Sequence, residues 1–334
     1  MSADATTEAR PAGLGVRFHD ILHANPTLGP AIVLLIAVLV FAGTTDGFLE
    51  ARNLSLIVQQ VMVVGTLGIA QTLVILTAGI DLSVGAIMVL SSIVMAKLSA
   101  ESGVPGLPAL LIGFGVGTVC GLINGLLVTR FRLPPFIVTL GSLQVFFALN
   151  LYYSESATIR SVDMSDLLLW TGNTFNIGDT KITYGSLLML GLFGLAAYAL
   201  GSTAWGRHVY STGDDLEAAR LAGVRTDRVL LSVYTLAGLI CAIAAWLLSG
   251  RIASASPQAG GLANLDSITA VVIGGTSLFG GRGLVIGTLF GALIVGVLRN
   301  GLTLGGVDVL WQDFAVGILV IVAVAIDQWI RKVR

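Results

Sequence analysis

Long apolar runs separated by short polar breaks fill the chain from residue 28 onward, and the runs set its architecture. A helix needs about 20 residues to cross a hydrocarbon core roughly 30 Å thick, somewhat fewer where flanking residues snorkel. That template predicts ten segments, near residues 28–44, 54–77, 82–99, 107–129, 135–153, 184–203, 228–249, 266–281, 283–300 and 311–330. Merging two of the weaker ones leaves eight or nine. Residues 1–16 are polar, rich in Ala and Thr and expected to be disordered, Val16–Ala24 form a short amphipathic stretch ended by Pro26, and 1–27 together make a cytoplasmic tail ahead of a single transmembrane domain over 28–332. No cleavable signal peptide is expected, because no small-residue cleavage site closes the run from Leu28 to Thr44.

With the N-terminus inside, the polar loop 204–227 and the C-terminus also fall inside. Of the 18 Lys and Arg, this arrangement places twelve inside and six outside, the bias that sets membrane orientation. Composition agrees: 55% apolar and 11% charged residues leave too few charges for a water-facing surface, which carries about 25% or more. The net charge of -1, with no basic run, argues against nucleic acid as a partner. Cys120 and Cys241 lie inside apolar runs and read as buried small hydrophobes. His19 and His23 are four apart but have no third ligand nearby, so no metal site is expected. None of the three histidines falls in a predicted span, and no catalytic residues are assigned.

The longest charged and polar interruption in the apolar second half is Gly206–Gly223, GRHVYSTGDDLEAARLAG. It predicts a turn and then a short helix over 215–222: Gly213 breaks the preceding segment, Asp214 or Asp215 caps the N-terminus, and Gly223 supplies a left-handed stop. The acids sit at the positive end of the helix dipole and Arg220 near the negative end. At about two turns this helix is not stable alone in water and needs a surface to dock on. Ala218, Ala219 and Ala222 form a narrow ridge at helical spacing, surrounded by Arg207, Arg220, Arg225 and Arg228. The competing reading is an ordinary solvated loop helix.

Polar groups inside spans cost energy unless they face a cavity or a partner. Gln59, Gln60, Gln71, Asp81, Asn124 and Gln144 are the candidate translocation residues, and Asn150 shares their pattern. They are mostly uncharged hydrogen-bonding groups, suited to a neutral polyhydroxylated solute rather than to an ion or proton, and they place the pathway among spans two to five. The competing reading has each of them tie two helices together. Asp81, in TAGIDLSVG, is either a cap receiving the amides of Ser83 or Val84, or a coupling or substrate carboxylate. Gly113, Gly117, Gly121 and Gly125 recur every four residues, as do Gly283, Gly287 and Gly291, which predicts two faces of close helix packing. The stretch IGGTSLFGGRG, 273–283, is no phosphate loop, since no Gly-Lys-Ser/Thr triplet occurs in the chain. It marks instead a short, glycine-broken span or a packing bend before a tight turn.

The pattern Glu217, Ala218, Ala219, three residues, then Gly223 resembles the EAA-xxx-G coupling motif of bacterial ABC importer permeases. Four longer blocks extend the resemblance in order: LTAGIDLSVGAIMVLSS (76–92), NGLLVTRFRLPPFIVTLGSL (124–143), GRHVYSTGDDLEAARLAGV (206–224) and ITAVVIGGTSLFGGRGLVIGTLFGALIVGVLRNGL (268–302). Together they look like the permease family of ribose-type monosaccharide ABC importers, over roughly 53–332. The closing AVAIDQWIRKV and RNGLTLGGVDVLWQ resemble fructose- and ribose-type members most. The resemblance implies an all-α polytopic fold of about ten transmembrane helices with a short cytoplasmic coupling helix, in the bacterial inner membrane. It also implies a homodimer, a separate ATPase subunit that binds ATP and Mg²⁺, a periplasmic sugar-binding protein, and a monosaccharide as cargo. Glu217, Ala218, Ala219, Arg220 and Gly223 are then the ATPase contact. The alternative is a proton-coupled secondary sugar transporter with Asp81 as its relay.

Overall fold

The computed structural model describes residues 27–178 and 180–332. In chain order the elements are α1 (Leu28–Thr44), α2 (Ala51–Leu76), α3 (Val84–Ala100), α4 (Gly106–Thr129), α5 (Pro135–Ser154), β1 (Ile159–Arg160), α6 (Asp166–Leu169), β2 (Thr174–Ile177), β3 (Thr180–Thr183), α7 (Tyr184–Ser202), α8 (Ala204–Asp214), α9 (Leu216–Leu221), α10 (Thr226–Ile252), β4 (Ser254–Ala255), α11 (Ala263–Ile273), α12 (Val285–Leu304) and α13 (Val309–Lys332). Each predicted span has its apolar helix. Six of these (α2, α4, α5, α7, α10 and α12) are long and apolar enough to cross a membrane by length and composition, and shorter apolar stretches lie at 28–44, 84–100, 263–273 and 309–325. The expected tail, with His19 and His23, lies outside the described residues apart from Thr27.

Helices α2 and α10 form the centre, buried along most of their lengths. Apolar side chains such as Leu35, Leu39, Ile137, Leu195 and Ile321 are exposed on the outer faces of α1, α5, α7 and α13, as hydrocarbon requires. Where α4 crosses α10, the helices meet backbone to backbone. A Cβ on Gly117 would lie 2.6 Å from the Gly238 carbonyl oxygen, and one on Gly121 only 2.2 Å from that of Tyr234. Gly113 and Gly125 complete the predicted face, packing against Met95 and against Leu231 and Tyr234. The second glycine series works the same way for two of its members: Gly287 meets Gly274, and Gly291 meets Ala270, where α12 crosses α11. Gly283 does not belong to that face, because it lies in the loop before α12. An amide pair ties α2 to α12, Asn53 and Asn300 each donating Nδ2 to the other's Oδ1 at 2.9 Å.

The longest expected outside loop, 154–183, is folded. β1 pairs antiparallel with β4, and β2 pairs with β3. The Trp170 ring stacks on Tyr184 at 4.8 Å and on Trp246 at 5.8 Å, so the cap of the bundle rests on α7 and α10.

The eighth span departs most from expectation. Instead of a helix over 266–281, α11 has 11 residues, about 16 Å, half of a hydrocarbon core. Ahead of it, residues 253–262 run in from β4 without helix: the Pro257 carbonyl accepts from Asn150 Nδ2 at 2.9 Å, and Gly260 packs on Met88 and Val89 of α3. Behind it, 274–284 form a loop.

The α4–α10 crossing gives the first prediction. Gly121→Ala should lower stability by about 1–3 kcal/mol through overpacking, whereas Gly115→Ala, with open space around it, should not. Thermal unfolding of the two variants in the same detergent checks this, and equal midpoints would remove the crossing as a packing constraint.

Candidate functional site

The polar interruption folds as a corner. Thr203 caps α8 by accepting from the Gly206 amide at 3.1 Å, and α8 runs on through Gly213, which does not break it. The chain then turns at Asp215, whose Oδ1 accepts from the Glu217 and Ala218 amides, both at 2.9 Å, capping α9. Gly223, at φ +85°, ends it. Ala219 is buried against the chain's own fold and is no part of an outward ridge. The outward face is Ala218, Leu221 and Ala222, with Leu221 89% exposed in a loop otherwise rich in charge. Arg220 holds α9 onto α10 through Thr226 (2.9 Å) and Asp227 (3.0 Å), and pairs with Glu217 at 3.1 Å.

Gly213 is needed for contact. A Cβ there would sit 1.8 Å from the Leu76 carbonyl oxygen at the end of α2 and 2.9 Å from the Gly281 amide. That amide donates to the same Leu76 oxygen at 3.0 Å, and Gly280 lies against both Gly213 and Ala78. The Tyr210 hydroxyl donates to the Gly283 carbonyl at 2.8 Å, and burial raises its pKa, so it stays a protonated donor. The corner therefore abuts α2 and the loop 274–284 through backbone.

A second constellation surrounds residues 77–83, which turn back into the bundle between α2 and α3. Three successive carbonyls of this loop are each met by a side chain: Ile80 by Thr139 Oγ1 (3.0 Å), Asp81 by Gln71 Nε2 (2.7 Å) and Leu82 by Asn264 Nδ2 (3.2 Å). Asp81 Oδ1 accepts from the Ser83 amide (2.7 Å) and hydroxyl (2.6 Å), and Asn124 Nδ2 donates to that hydroxyl at 2.9 Å. Asp81 thus takes the Ser83 amide, although the cap position of α3 is Ser83 itself. Gln71, Asp81 and Asn124 are buried inside this network.

The other candidates separate. Gln59 donates to Ser55 Oγ at 3.0 Å, and Gln144 is exposed on the surface of α5. Gln60 lines a cavity of about 360 Å³ at the end of the bundle opposite the α8–α9 corner, between α2, α3, α10, α11, α12 and α13. Its polar lining adds Arg251, Asp266, Arg299, Thr303 and Gln312, and its apolar lining includes Val63, Val64, Met88, Leu248 and Val295. Arg299 donates Nη2 to Asp266 Oδ1 at 2.7 Å and Nη1 to Asp313 Oδ1 at 2.8 Å. Arg251 and Arg299 are two of the six charges that the expected topology places outside, which hides them from a search for polar residues in the spans. A charge inside a predicted span, as Arg299 is, was the available signal. Among the described residues no cluster of His, Cys, Asp and Glu is arranged to hold a metal.

A bundle of apolar helices with one half-span, a polar cavity beside it and a capped exposed corner fits a membrane transport protein. Residues 53–324 match the family described as the permease component of branched-chain amino acid transport systems. The chain is 54% identical to the fructose import permease of Rhizobium meliloti, over 98% of this chain and 92% of that one. It is 40% identical to the ribose import permease of Bacillus subtilis, over 90% and 92%, and 35% identical to that of Escherichia coli K12, over 89% and 92%. The chain belongs to the ribose-type monosaccharide ABC permease family.

The loop network gives a second prediction. Gln71→Leu leaves the Asp81 carbonyl unsatisfied and should cost about 1–3 kcal/mol, whereas Asp81→Asn keeps an acceptor for Ser83 and should be mild. Unfolding midpoints measured beside ATP-driven uptake in vesicles check both, and loss of uptake in a stably folded Asp81→Asn protein would restore the carboxylate as a coupling group.

Proposed function

We propose that this chain is the membrane subunit of an ATP-driven importer that carries a monosaccharide of the fructose or ribose type across the bacterial inner membrane. It works as a homodimer, with both termini cytoplasmic. It performs no covalent chemistry: ATP and Mg²⁺ are bound by a separate ATPase subunit, and sugar is delivered by a periplasmic binding protein. The sugar class rests on the names of the relatives described above.

The coupling reading rests on one observation, the α9 corner. Its exposed face carries Ala218, Leu221 and Ala222, an apolar patch that water does not favour and that an ATPase groove would cover. Glu217 and Arg220 flank that patch and Gly223 sets its end, while Ala219 fastens the helix to the permease. Pushing α9 moves α8, and Gly213 passes the movement to the end of α2 and to the 274–284 loop, which leads into α12. The spans then alternate between outward and inward openings. Apolar flanks of the bundle contact lipid.

Ala218→Trp or Leu221→Asp should abolish ATP hydrolysis stimulated by sugar-loaded binding protein while the chain still inserts and dimerises. Gly213→Val should behave differently: the ATPase still co-purifies, yet uptake falls at least tenfold. Stimulated turnover at the normal rate in both α9 variants would remove this helix as the contact.

A further inference from the structure

The cavity beside the broken eighth span contains chemistry that helix packing does not require. Arg251, Arg299 and Asp266 line it, and Asp313, outside the lining, pairs with Arg299; the four groups come from four helices and sum to zero formal charge. Each carboxylate gives one oxygen to Arg299, and among the described residues the second oxygen of each has no hydrogen-bond partner. The Arg299 Nε is buried and also without a partner. Arg251 has a single long contact, Nη1 to the Gln60 carbonyl at 3.5 Å. Unused donors of Arg251 and Arg299 and an unused acceptor of Asp266 therefore line one half-open pocket, facing an apolar wall of Val63, Met88 and Leu248.

A hydroxyl group is both donor and acceptor, and a ring carrying several of them has apolar C–H faces. Free carboxylate oxygens can accept from such hydroxyls, and the guanidinium groups and the Gln60 amide can donate to them. Arg299 is paired with Asp266 and Asp313, and with Arg251 the four charges sum to zero, so no net charge selects an anion or a cation. At about 360 Å³ the cavity lies in the range of small-molecule sites, roughly 300–1,000 Å³. Its position is informative as well. It opens where α11 starts part-way through the bundle, and non-helical backbone at membrane depth is tolerated where it lines a cavity.

We infer that this cavity, formed by Gln60, Arg251, Asp266, Arg299 and Gln312, is a low-affinity subsite of the permease itself for a neutral polyhydroxylated solute. The inference rests on the sugar-import reading. It moves selectivity partly into the membrane, since a charged sugar derivative meets a cluster of zero net formal charge.

The test uses the complete transporter, with ATPase and binding protein, in proteoliposomes. Leu262→Cys, at a cavity-lining position outside the five binding groups, in a background where Cys120 and Cys241 are Ser, is treated with a water-soluble thiol reagent. Fructose or ribose should slow labelling at least threefold, while gluconate and glycine betaine at equal osmolality should not. In parallel, Gln60→Leu and Arg251→Met should lower uptake at least tenfold at saturating loaded binding protein, with ATP hydrolysis within twofold of the unmodified transporter. Unfolding midpoints in nanodiscs confirm that the variants fold. Labelling that ignores both sugars, together with unmodified uptake in the two variants, overturns the subsite. If the unmodified transporter itself carries neither sugar, the import reading fails, and the subsite with it.

Discussion

Hydrocarbon offers no partner to a peptide carbonyl, so a chain that leaves helical conformation inside a membrane must bring its own donors. The loop at 77–83 is where this protein meets that demand most severely. Donors reach it from three different helices: Gln71 from α2, Thr139 from α5 and Asn264 from α11. The loop is therefore a fixed point on which three elements are registered. The start of α11, and with it the cavity bounded by Asp266, depends on where Asn264 is held.

The same demand explains why polar residues in the spans fall into two kinds. Gln71 and Asn124 are structural donors, consumed by a loop and a serine. Gln60 and Arg251 retain hydrogen-bonding capacity toward an open volume. Both kinds look alike in an apolar run, because the distinction depends on what lies opposite.

That also marks how far the sequence could be read. The helical spans were legible because apolar length is a local property, and α9 was legible because Asp215 and Gly223 lie within one short window. The α4–α10 contact was half legible: the glycine spacing announced a close face without naming its partner. The entry to α11 was not, since SASPQAGG reads equally as a surface loop and as chain descending into the bundle. Nor was the Arg299 cluster, whose partners lie 33 residues before it and 14 after it, on separate helices. In sequence Gly213 reads as a break, because glycine commonly ends helices. Its role appears only when Leu76, 137 positions away in the chain, is placed against it.

The contact of Gly213 with Leu76 and Gly281 involves no side chain that could rotate out of the way. A side-chain contact can absorb a small displacement by changing rotamer, and so behaves as a spring. Main chain against main chain has almost no such compliance: a shift of α8 becomes a shift of similar size at the end of α2. The joint therefore works as a hinge plate, transmitting distance rather than force. It leaves the outward residues of α9 free to vary, while Gly213, Gly280 and Gly281 stay constrained by the backbone they touch.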